Sequence, residues 1–328
     1  MKIAINGFGR IGRSVFKIAF EKGIDIAAVN DVYGAEDAAY FLKYDSVYGR
    51  YDKKVEVKGG ELIVNGKKIK VLSEREPLKL PWKKMKVDVV VEATGAFREG
   101  RMAEAHLKAG ARYVIVTAPI KKGKPDLTVV PGVNDDKLSK NTKLISVASC
   151  TTNCLAPLVK VLNDAFGIEK AFFTTVHGYT SSQALVDSSA RKVVRGRAAA
   201  LNIVPTSSGA SEATAEAIPE MKGKIDGMAL RVPVACGSIT DLSAELSRFA
   251  SVEGVNNAFR KYSNGKGKGI LSCTKEEMVS SDVIGSSESA IFMENETKVN
   301  GKLVKVMAWY DNEWGYSNRV VDVVKMLR

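Results

Sequence analysis

Two histidines, three tryptophans, four cysteines and a single glutamine stand in a chain of 328 residues. Each scarcity removes a class of protein. Four cysteines over this length do not make a disulfide framework, and no Cys-x-x-Cys pair suggests structural zinc. No cluster of metal ligands is visible, so no metal is expected. No run of 18 apolar residues exists, which excludes a membrane-spanning helix. The opening Met1-Lys2-Ile3-Ala4-Ile5 breaks at Asn6-Gly7 before a signal-peptide core could form. A reduced, soluble, cytoplasmic protein is the expectation. What is abundant is positive charge: Lys plus Arg outnumber Asp plus Glu by 49 to 37, a formal +12. That balance suits an anionic partner but does not distinguish nucleic acid, membrane surface or a phosphorylated metabolite. The length predicts about two domains, and 45% apolar with 26% charged residues is ordinary for globular chains.

Read for period, the first 150 residues alternate short apolar runs with helical stretches. Lys2–Asn6 is a strand candidate, 14–22 a helix and 24–30 a second strand. Residues 87–92, 113–116 and 144–147 are β-rich runs without in/out alternation, which belong in a parallel sheet covered by helices. Strand, helix, strand in this order predicts βαβ units and a doubly wound sheet. A different region interrupts at 50–86, where Glu61-Leu62-Ile63-Val64 and Lys67-Lys68-Ile69-Lys70-Val71 flank Asn65-Gly66, a strong hairpin signal. Asn300-Gly301 repeats the device ahead of 303–309. Beyond 150 come a helix near 157–166 and long strands at 171–176 and 228–234. The predicted class is α/β: a doubly wound Rossmann-type dinucleotide-binding domain, then an α+β catalytic domain with a mostly antiparallel sheet. A short apolar-striped helix closes the chain.

Two motifs carry chemistry. Gly7-Phe8-Gly9-Arg10-Ile11-Gly12 fits G-x-G-x-x-G between a predicted strand and a predicted helix. The first glycine permits the tight turn, the second lets pyrophosphate approach the backbone, and the third lets helix and strand pack closely. The diphosphate would sit on the helix N-terminus, where free N–H groups and the dipole favour an anion. Asp31 follows Gly12 by 19 residues; a carboxylate there can accept from both adenosine ribose hydroxyls and would repel a 2′-phosphate. A nicotinamide dinucleotide follows, with NAD favoured over a bland glycine turn beside an ordinary loop aspartate.

Ser149-Cys150-Thr151-Thr152-Asn153-Cys154 follows a buried-looking strand. A strand running into a helix start would place Cys150 among N–H dipoles that stabilise a thiolate and lower its pKa. Cys154, one turn later, reads as an inert buried thiol, and Cys236 and Cys273 as bystanders. Of the two histidines, His106 lies in the helical pattern 102–109, a solvated or packed position. His177 ends the strand at 172–176; it could be structural, but cysteine chemistry needs a nearby base. Together the parts suggest a thiolate that adds to an aldehyde. The thiohemiacetal then passes hydride to the nicotinamide, leaving a thioester.

These residues sit in blocks that resemble phosphorylating glyceraldehyde-3-phosphate dehydrogenases. The blocks are Ile5-Asn6-Gly7-Phe8-Gly9-Arg10-Ile11-Gly12-Arg13, Leu42-Lys43-Tyr44-Asp45-Ser46, Ala148-Ser149-Cys150-Thr151-Thr152-Asn153-Cys154-Leu155-Ala156-Pro157, Thr175-Val176-His177-Gly178-Tyr179-Thr180 and Trp309-Tyr310-Asp311-Asn312-Glu313-Trp314-Gly315-Tyr316. The likeness runs essentially end to end. It implies NAD-dependent conversion of glyceraldehyde 3-phosphate and inorganic phosphate to 1,3-bisphosphoglycerate, in glycolysis or gluconeogenesis, by a homotetramer. It implies Cys150 as nucleophile and His177 as base, with the Cys150 N–H and the His177 ring holding the oxyanion. It assigns the substrate's phosphate to Thr180 and Arg231 with Arg195 nearby, and the attacking phosphate to Ser149, Thr151, Ser208 and Gly209. For the cofactor it points to Arg10, Ile11, Asp31, Arg75, Thr117 and Asn312, the last holding the nicotinamide amide. The division that follows is 1–149, with a helix over 313–328 packing back on it, and 150–312.

Three departures stand out. The loop at 185–197 lacks the Leu-Pro pair that many NAD-specific members carry at 188–189. Its Ser189 and Arg191 instead resemble members that accept NADP, so dual use of NAD and NADP is an expectation that Asp31 opposes. Val194 stands where an arginine is common, and Ser208 replaces the usual threonine while keeping the hydroxyl. A sister activity, erythrose-4-phosphate dehydrogenase, would share the machinery, but its members usually lose the Tyr-Thr that is intact here at 179–180. A basic RNA-binding protein, the rival from another class, would interleave basic and aromatic residues or show an RNA module. Neither is found, so contact with nucleic acid would be incidental. The charge itself divides. Residues 50–86 hold 12 Lys/Arg against 5 Asp/Glu, alternating with apolar residues as on a solvated sheet face. The cations expected to matter are Arg10, Arg195 and Arg231.

Overall fold

The strand Val89–Glu92 is buried at all four positions, and so is Tyr113–Val116. β-branched side chains fit a pleated surface, and strands buried on both faces need a layer of structure on each side. In the computed structural model, which describes residues 1–97, 99–120 and 122–327, these runs join a nine-stranded sheet. Its order is Leu127–Thr128, Leu144–Ser146, Tyr113–Val116, Val89–Glu92, Lys2–Asn6, Asp25–Asn30, Lys67–Leu72, Glu61–Val64 and Val55–Lys58. Neighbours are parallel from Leu127–Thr128 to Lys67–Leu72, and the remaining two strands extend the edge as an antiparallel meander. The stretch expected to interrupt the doubly wound pattern is therefore part of its sheet.

The two Asn-Gly turns differ. Asn65 and Gly66 both have positive φ, 45° and 80°, and Val64 pairs with Lys67, as a two-residue mirror-image turn requires. At the second, Asn300 pairs with Leu303, so the turn residues are Gly301-Lys302 and the positive φ of 63° falls on Gly301. A glycine at the first turn position meets that need alone.

Residues 102–109, read as one helical stretch, fall into two short helices, Gly100–Ala103 and Ala105–Lys108. His106, on the second of them, is fully buried. Its Nδ1 accepts from the Trp82 indole at 3.0 Å, and Nε2 lies 3.2 Å from Glu92 Oε2. An indole N–H can only donate, so the ring proton sits on Nε2 and points at the carboxyl group. This histidine is packed and structural.

Contacts divide the chain into two units. The first comprises Met1–Val129, Asp136–Ala148 and the residues from Ser317 onward; the second comprises Val130–Asp135 and Ser149–Tyr316. The last helix is Trp314–Met326, and in the first unit Lys22 Nζ reaches Asn318 Oδ1 and Asp322 Oδ1 at 3.2 and 3.3 Å. Arg328, the end of the predicted helix, lies outside the described residues.

The second unit is built on a mixed sheet, ordered Val204–Ser207, Ile225–Val232, Ile168–Gly178, Ser238–Leu246, Leu303–Tyr310, Ala290–Met293 and Leu271–Thr274. Its pairings are antiparallel except Ile168–Gly178 with Ile225–Val232 and Leu271–Thr274 with Ala290–Met293. Along Ile168–Gly178, Phe173, Thr175 and His177 share the buried face, the period of two that a half-buried strand shows. The helix expected near 157–166 begins at Cys150 and runs to Phe166 with Pro157 inside it. Proline removes one backbone donor there, yet Leu155, Ala156, Leu158, Val159 and Leu162 are all completely buried. Tertiary burial overrides the local penalty. Among the described residues no helix is long and apolar enough to cross a membrane.

Gly7 leaves the first strand at φ 91°, and a Cβ there would stand 2.6 Å from the Thr94 backbone nitrogen. Backbone strain and overlap both act against a side chain. Gly7→Ala is expected to lower stability in urea unfolding by about 2–4 kcal/mol. A loss below about 0.5 kcal/mol would show that this turn is not so constrained.

Candidate active site

In the first unit, the glycine motif does three separate jobs. A Cβ on Gly12 would lie 2.0 Å from Gly7 O, so close approach of helix and strand demands glycine there. A Cβ on Gly9 would meet nothing within 4 Å. Gly9 is also the N-cap of the helix Arg10–Glu21, with no side-chain cap. The space over Gly9 and the helix start, where Ile11 sits half-buried and the dipole favours an anion, make a cradle that fits a diphosphate. Asp31 Oδ2 accepts from Phe8 N at 2.8 Å and Oδ1 from Tyr33 N at 3.2 Å. The carboxylate thus braces the glycine loop while retaining lone pairs for hydroxyl donors. Arg10 pairs with Asp45 at 2.6 Å and lies over the Tyr48 ring. The Thr117 hydroxyl donates to Glu92 O at 3.1 Å. Arg75 is exposed.

In the second unit, Ser149 caps the long helix by accepting from Thr152 N at 3.1 Å. Just before it, Ala148 turns the chain at φ 51°, a rare conformation for a residue with a side chain. Cys150 follows as the first helical residue, half-buried, with Sγ 3.3 Å from His177 Nε2. His177 is 2% exposed at the end of its strand. The parallel register pairs it with Arg231, whose Nη1 lies 2.7 Å from His177 Nδ1 and 3.0 Å from Gly178 O. Tyr310 closes the opposite side. Its hydroxyl is 3.1 Å from Thr151 Oγ1 and 2.7 Å from Thr175 Oγ1, and its ring meets the imidazole edge-on.

Electrostatics here are dominated by loss of water. Burial, with the nearby Arg231 charge second, drives His177 down to about 3. Burial pushes the Cys150 thiol up, while the Arg231 charge and the Thr151 N–H pull it down. The lowered thiol pKa expected from a helix start is thus not what the fold gives, because dehydration of the sulfur outweighs the dipoles and the cation.

Of the remaining candidates in this unit, Thr180 and Arg195 meet through a shared serine hydroxyl. Thr180 Oγ1 is 2.9 Å from Ser182 Oγ, which also accepts from Arg195 Nη1 at 3.3 Å. Arg195 Nε donates to Thr206 Oγ1 at 3.1 Å. Two residues on, Ser208 Oγ accepts from Ala210 N at 3.2 Å, and Gly209 is the N-cap of the helix Ala210–Ala217. Asn312 Oδ1 accepts from Gly237 N at 3.2 Å and Ser238 Oγ at 2.8 Å. Ser238 in turn accepts from Gly178 N, next to the histidine. These bonds orient the Asn312 amide, with its nitrogen on the opposite side. Arg231 Nε is buried without a hydrogen-bond partner.

Tyr310 and Ser238 escaped sequence reasoning. A tyrosine ending an apolar strand reads as core, and nothing local ties either residue to His177; strand pairing does.

A glycine-cradled helix start with a carboxylate beside it, and a cysteine set against a neutral histidine, define a class: oxidoreductases that use a nicotinamide dinucleotide and a protein thiol. Residues 1–100 match the glyceraldehyde 3-phosphate dehydrogenase NAD binding domain, and residues 149–312 match the glyceraldehyde 3-phosphate dehydrogenase C-terminal domain. The glyceraldehyde-3-phosphate dehydrogenase of Borreliella burgdorferi is 49% identical over 336 residues, covering 100% of this chain and 99% of its own. Those of Mycobacterium avium and Geobacillus stearothermophilus are each 50% identical, covering 100% and 98% of this chain and 98% and 97% of their own. The chain belongs to the glyceraldehyde-3-phosphate dehydrogenase family.

The depressed His177 value has a signed consequence. The unfolded chain takes up this proton near the ordinary 6.5 and the folded one only near 3, so stability is intact above 6.5 and is lost as pH falls. Between pH 7 and 5 the wild type should lose about 2 kcal/mol more than His177→Asn in urea unfolding. Equal losses would show that the ring is not held neutral.

Proposed function

We propose that Cys150 is the nucleophile and His177 the proton acceptor of the family's phosphorylating dehydrogenation, in which glyceraldehyde 3-phosphate and inorganic phosphate become 1,3-bisphosphoglycerate. The observation that carries this reading is the contact of 3.3 Å between Sγ and Nε2 at a helix start. The thiolate sulfur attacks the aldehyde carbon, and the carbonyl pair moves onto oxygen beside the Cys150 N–H and the His177 ring. His177 Nε2 takes the Cys150 thiol proton as the sulfur attacks and returns it to that oxygen, giving the thiohemiacetal hydroxyl. His177 Nε2 accepts its proton as the carbon is oxidised, leaving a thioester on Cys150. NAD, when bound, supplies the hydride acceptor. A phosphate oxygen then attacks the thioester carbon, the C–S bond breaks, and the thiolate returns.

Gly7, Gly9, Gly12, Arg10, Ile11, Asp31, Arg75 and Thr117 hold NAD in this reading, and Asn312 presents its amide N–H to the nicotinamide carboxamide. Thr180 and Arg231, with Arg195, take the substrate's phosphate; the unpartnered Arg231 Nε supports that. Ser149, Thr151, Ser208 and Gly209 take the attacking phosphate. The Ser149 and Thr151 hydroxyls then share that role with the helix cap and Tyr310. The division into a cofactor domain at 1–149 with a helix over 313–328, and a catalytic domain at 150–312, accompanies these roles. The working form is a cytoplasmic homotetramer. Leu185, Val186, Val193, Leu201 and Ile203 are each at least 67% exposed, more uncovered apolar surface in one loop region than an isolated chain favours. Asp31 makes NAD the preferred cofactor, with NADP use through Ser189 and Arg191 secondary.

NADH formation from glyceraldehyde 3-phosphate, phosphate and NAD should fall roughly a thousandfold or more in Cys150→Ser and by about 10²–10⁴ in His177→Asn. Turnover that survives Cys150→Ser would remove the nucleophile from this scheme. At matched concentrations NAD should give the higher kcat/KM; a preference for NADP would overturn the reading of Asp31.

A further inference from the structure

Three parallel strands lying side by side in the first unit end on polar residues. Asn6 closes Lys2–Asn6, Asn30 closes Asp25–Asn30 and Glu92 closes Val89–Glu92, and the register sets Asn6 opposite both of the others. All three are at most 4% exposed. Their side chains bond to one another, and the groups at the two ends fix the direction of each bond. Glu74 N can only donate, and it gives its proton to Asn30 Oδ1 at 2.9 Å. Asn30 Nδ2 then donates to Glu74 O at 2.8 Å and to Asn6 Oδ1 at 2.7 Å. That leaves Asn6 Nδ2 to donate to Glu92 Oε2. From the other end, the Trp82 indole occupies His106 Nδ1, so Nε2 donates to the same oxygen. The two donor nitrogens, 3.4 Å apart, converge on it. Oε1 accepts from Thr94 N at 2.8 Å and from the Thr94 hydroxyl, whose oxygen in turn accepts from Ala96 N. Every bond runs toward Glu92, and each carboxyl oxygen faces two donors.

We propose that Asn6, Asn30 and Glu92 are positioning residues for the dinucleotide, a buried frame that holds its separate contact segments in one arrangement. This rests on the reading of the glycine loop, Asp31, Arg75 and Thr117 as cofactor contacts. Gly7 is gripped from both sides: its N–H donates to Asn30 O at 2.8 Å, and the Thr94 backbone stands where its Cβ would be. Asp31 follows Asn30 directly. Arg75 follows Glu74, whose N–H and C=O are both clamped by the Asn30 amide. Thr117 hangs on the Glu92 carbonyl, through its N at 3.0 Å and its Oγ1 at 3.1 Å. Four segments far apart in the chain therefore take their places from three side chains. Packed apolar side chains would serve stability as well as a buried polar cluster does. Stability thus gives no reason for three polar residues in a row at this edge, whereas a single fixed geometry does.

Glu92→Gln keeps the shape and spoils the frame, because either orientation of the amide turns an NH₂ toward two donors. Calorimetric titration of the folded variant with NAD, and separately with ADP-ribose, should show Kd raised at least about fivefold for both. KM for NAD should rise in step, while kcat at saturating NAD and KM for glyceraldehyde 3-phosphate stay within about twofold of the wild type. Leu62→Ala truncates a fully buried side chain in Glu61–Val64, outside the frame; it costs stability and should bind NAD as the wild type does. If Glu92→Gln does not fold, Asn30→Ala, which removes the Glu74 clamp and the donor to Asn6, is read in the same way. A smaller rise in Kd, a kcat that falls with it, an equal rise in Leu62→Ala, or failure of both frame variants to fold overturns the proposal and leaves the frame structural. Failure of the underlying reading looks different: the wild type would bind neither NAD nor ADP-ribose, or Asp31→Ala would leave its affinity unchanged.

Discussion

A sulfur and an imidazole nitrogen 3.3 Å apart, 27 residues apart in the chain, are the contact on which the second unit converges. Neither side chain can hold that position alone. The sulfur is placed by a helix whose start is pinned by the Ser149 cap and preceded by the left-handed turn at Ala148. The imidazole is placed by a strand flanked on one side by Ile225–Val232 and on the other by Ser238–Leu246. Tyr310, from the next strand over, ties helix and strand together through Thr151 and Thr175. A shift of one residue in any of these registers would turn His177 to the other face of the sheet. Such a site is held by the sheet, not by a loop.

The first unit solves a different problem by similar means. An anion must approach a backbone closely, so bulk has to be absent at some positions and unavoidable contact tolerated at others. Gly12 allows helix and strand to touch, Gly9 leaves open space, and Asp31 fixes the loop through Phe8 N. The parallel sheet directs the strand ends and the following helix start to the same edge, where the positive end of the helix dipole lies. The buried Trp82–His106–Glu92 chain supports that edge from below, since Glu92 also accepts from Thr94 N, whose backbone backs Gly7.

Local chemistry was readable from the residues and long-range chemistry was not. The glycine spacing, the cysteine at a helix start, the strand-end histidine and the Asn65-Gly66 hairpin each state a backbone requirement within a few positions. The continuity of the cysteine helix from 150 to 166 was hidden because Pro157 interrupts it locally, while complete burial of its neighbours decides the matter. The turn at Gly301-Lys302 depends on which residues pair across it. The raised Cys150 thiol could not be read from a helix-start motif, since desolvation is a property of everything packed around the sulfur. Arg231 was named only through a family likeness. Its contact with the imidazole became visible when the parallel register set it opposite His177.

The central claim is a covalent one: carbon bonds to Cys150 before phosphate arrives. Rapid mixing of the protein with NAD and glyceraldehyde 3-phosphate in the absence of phosphate, followed by acid quench and mass analysis of the peptides, tests it directly. The account predicts a burst of one NADH per chain that then stops, with the acyl group recovered on the peptide containing Cys150 and released by added phosphate. No burst, or an acyl group found on Cys236 or Cys273 instead, would contradict it.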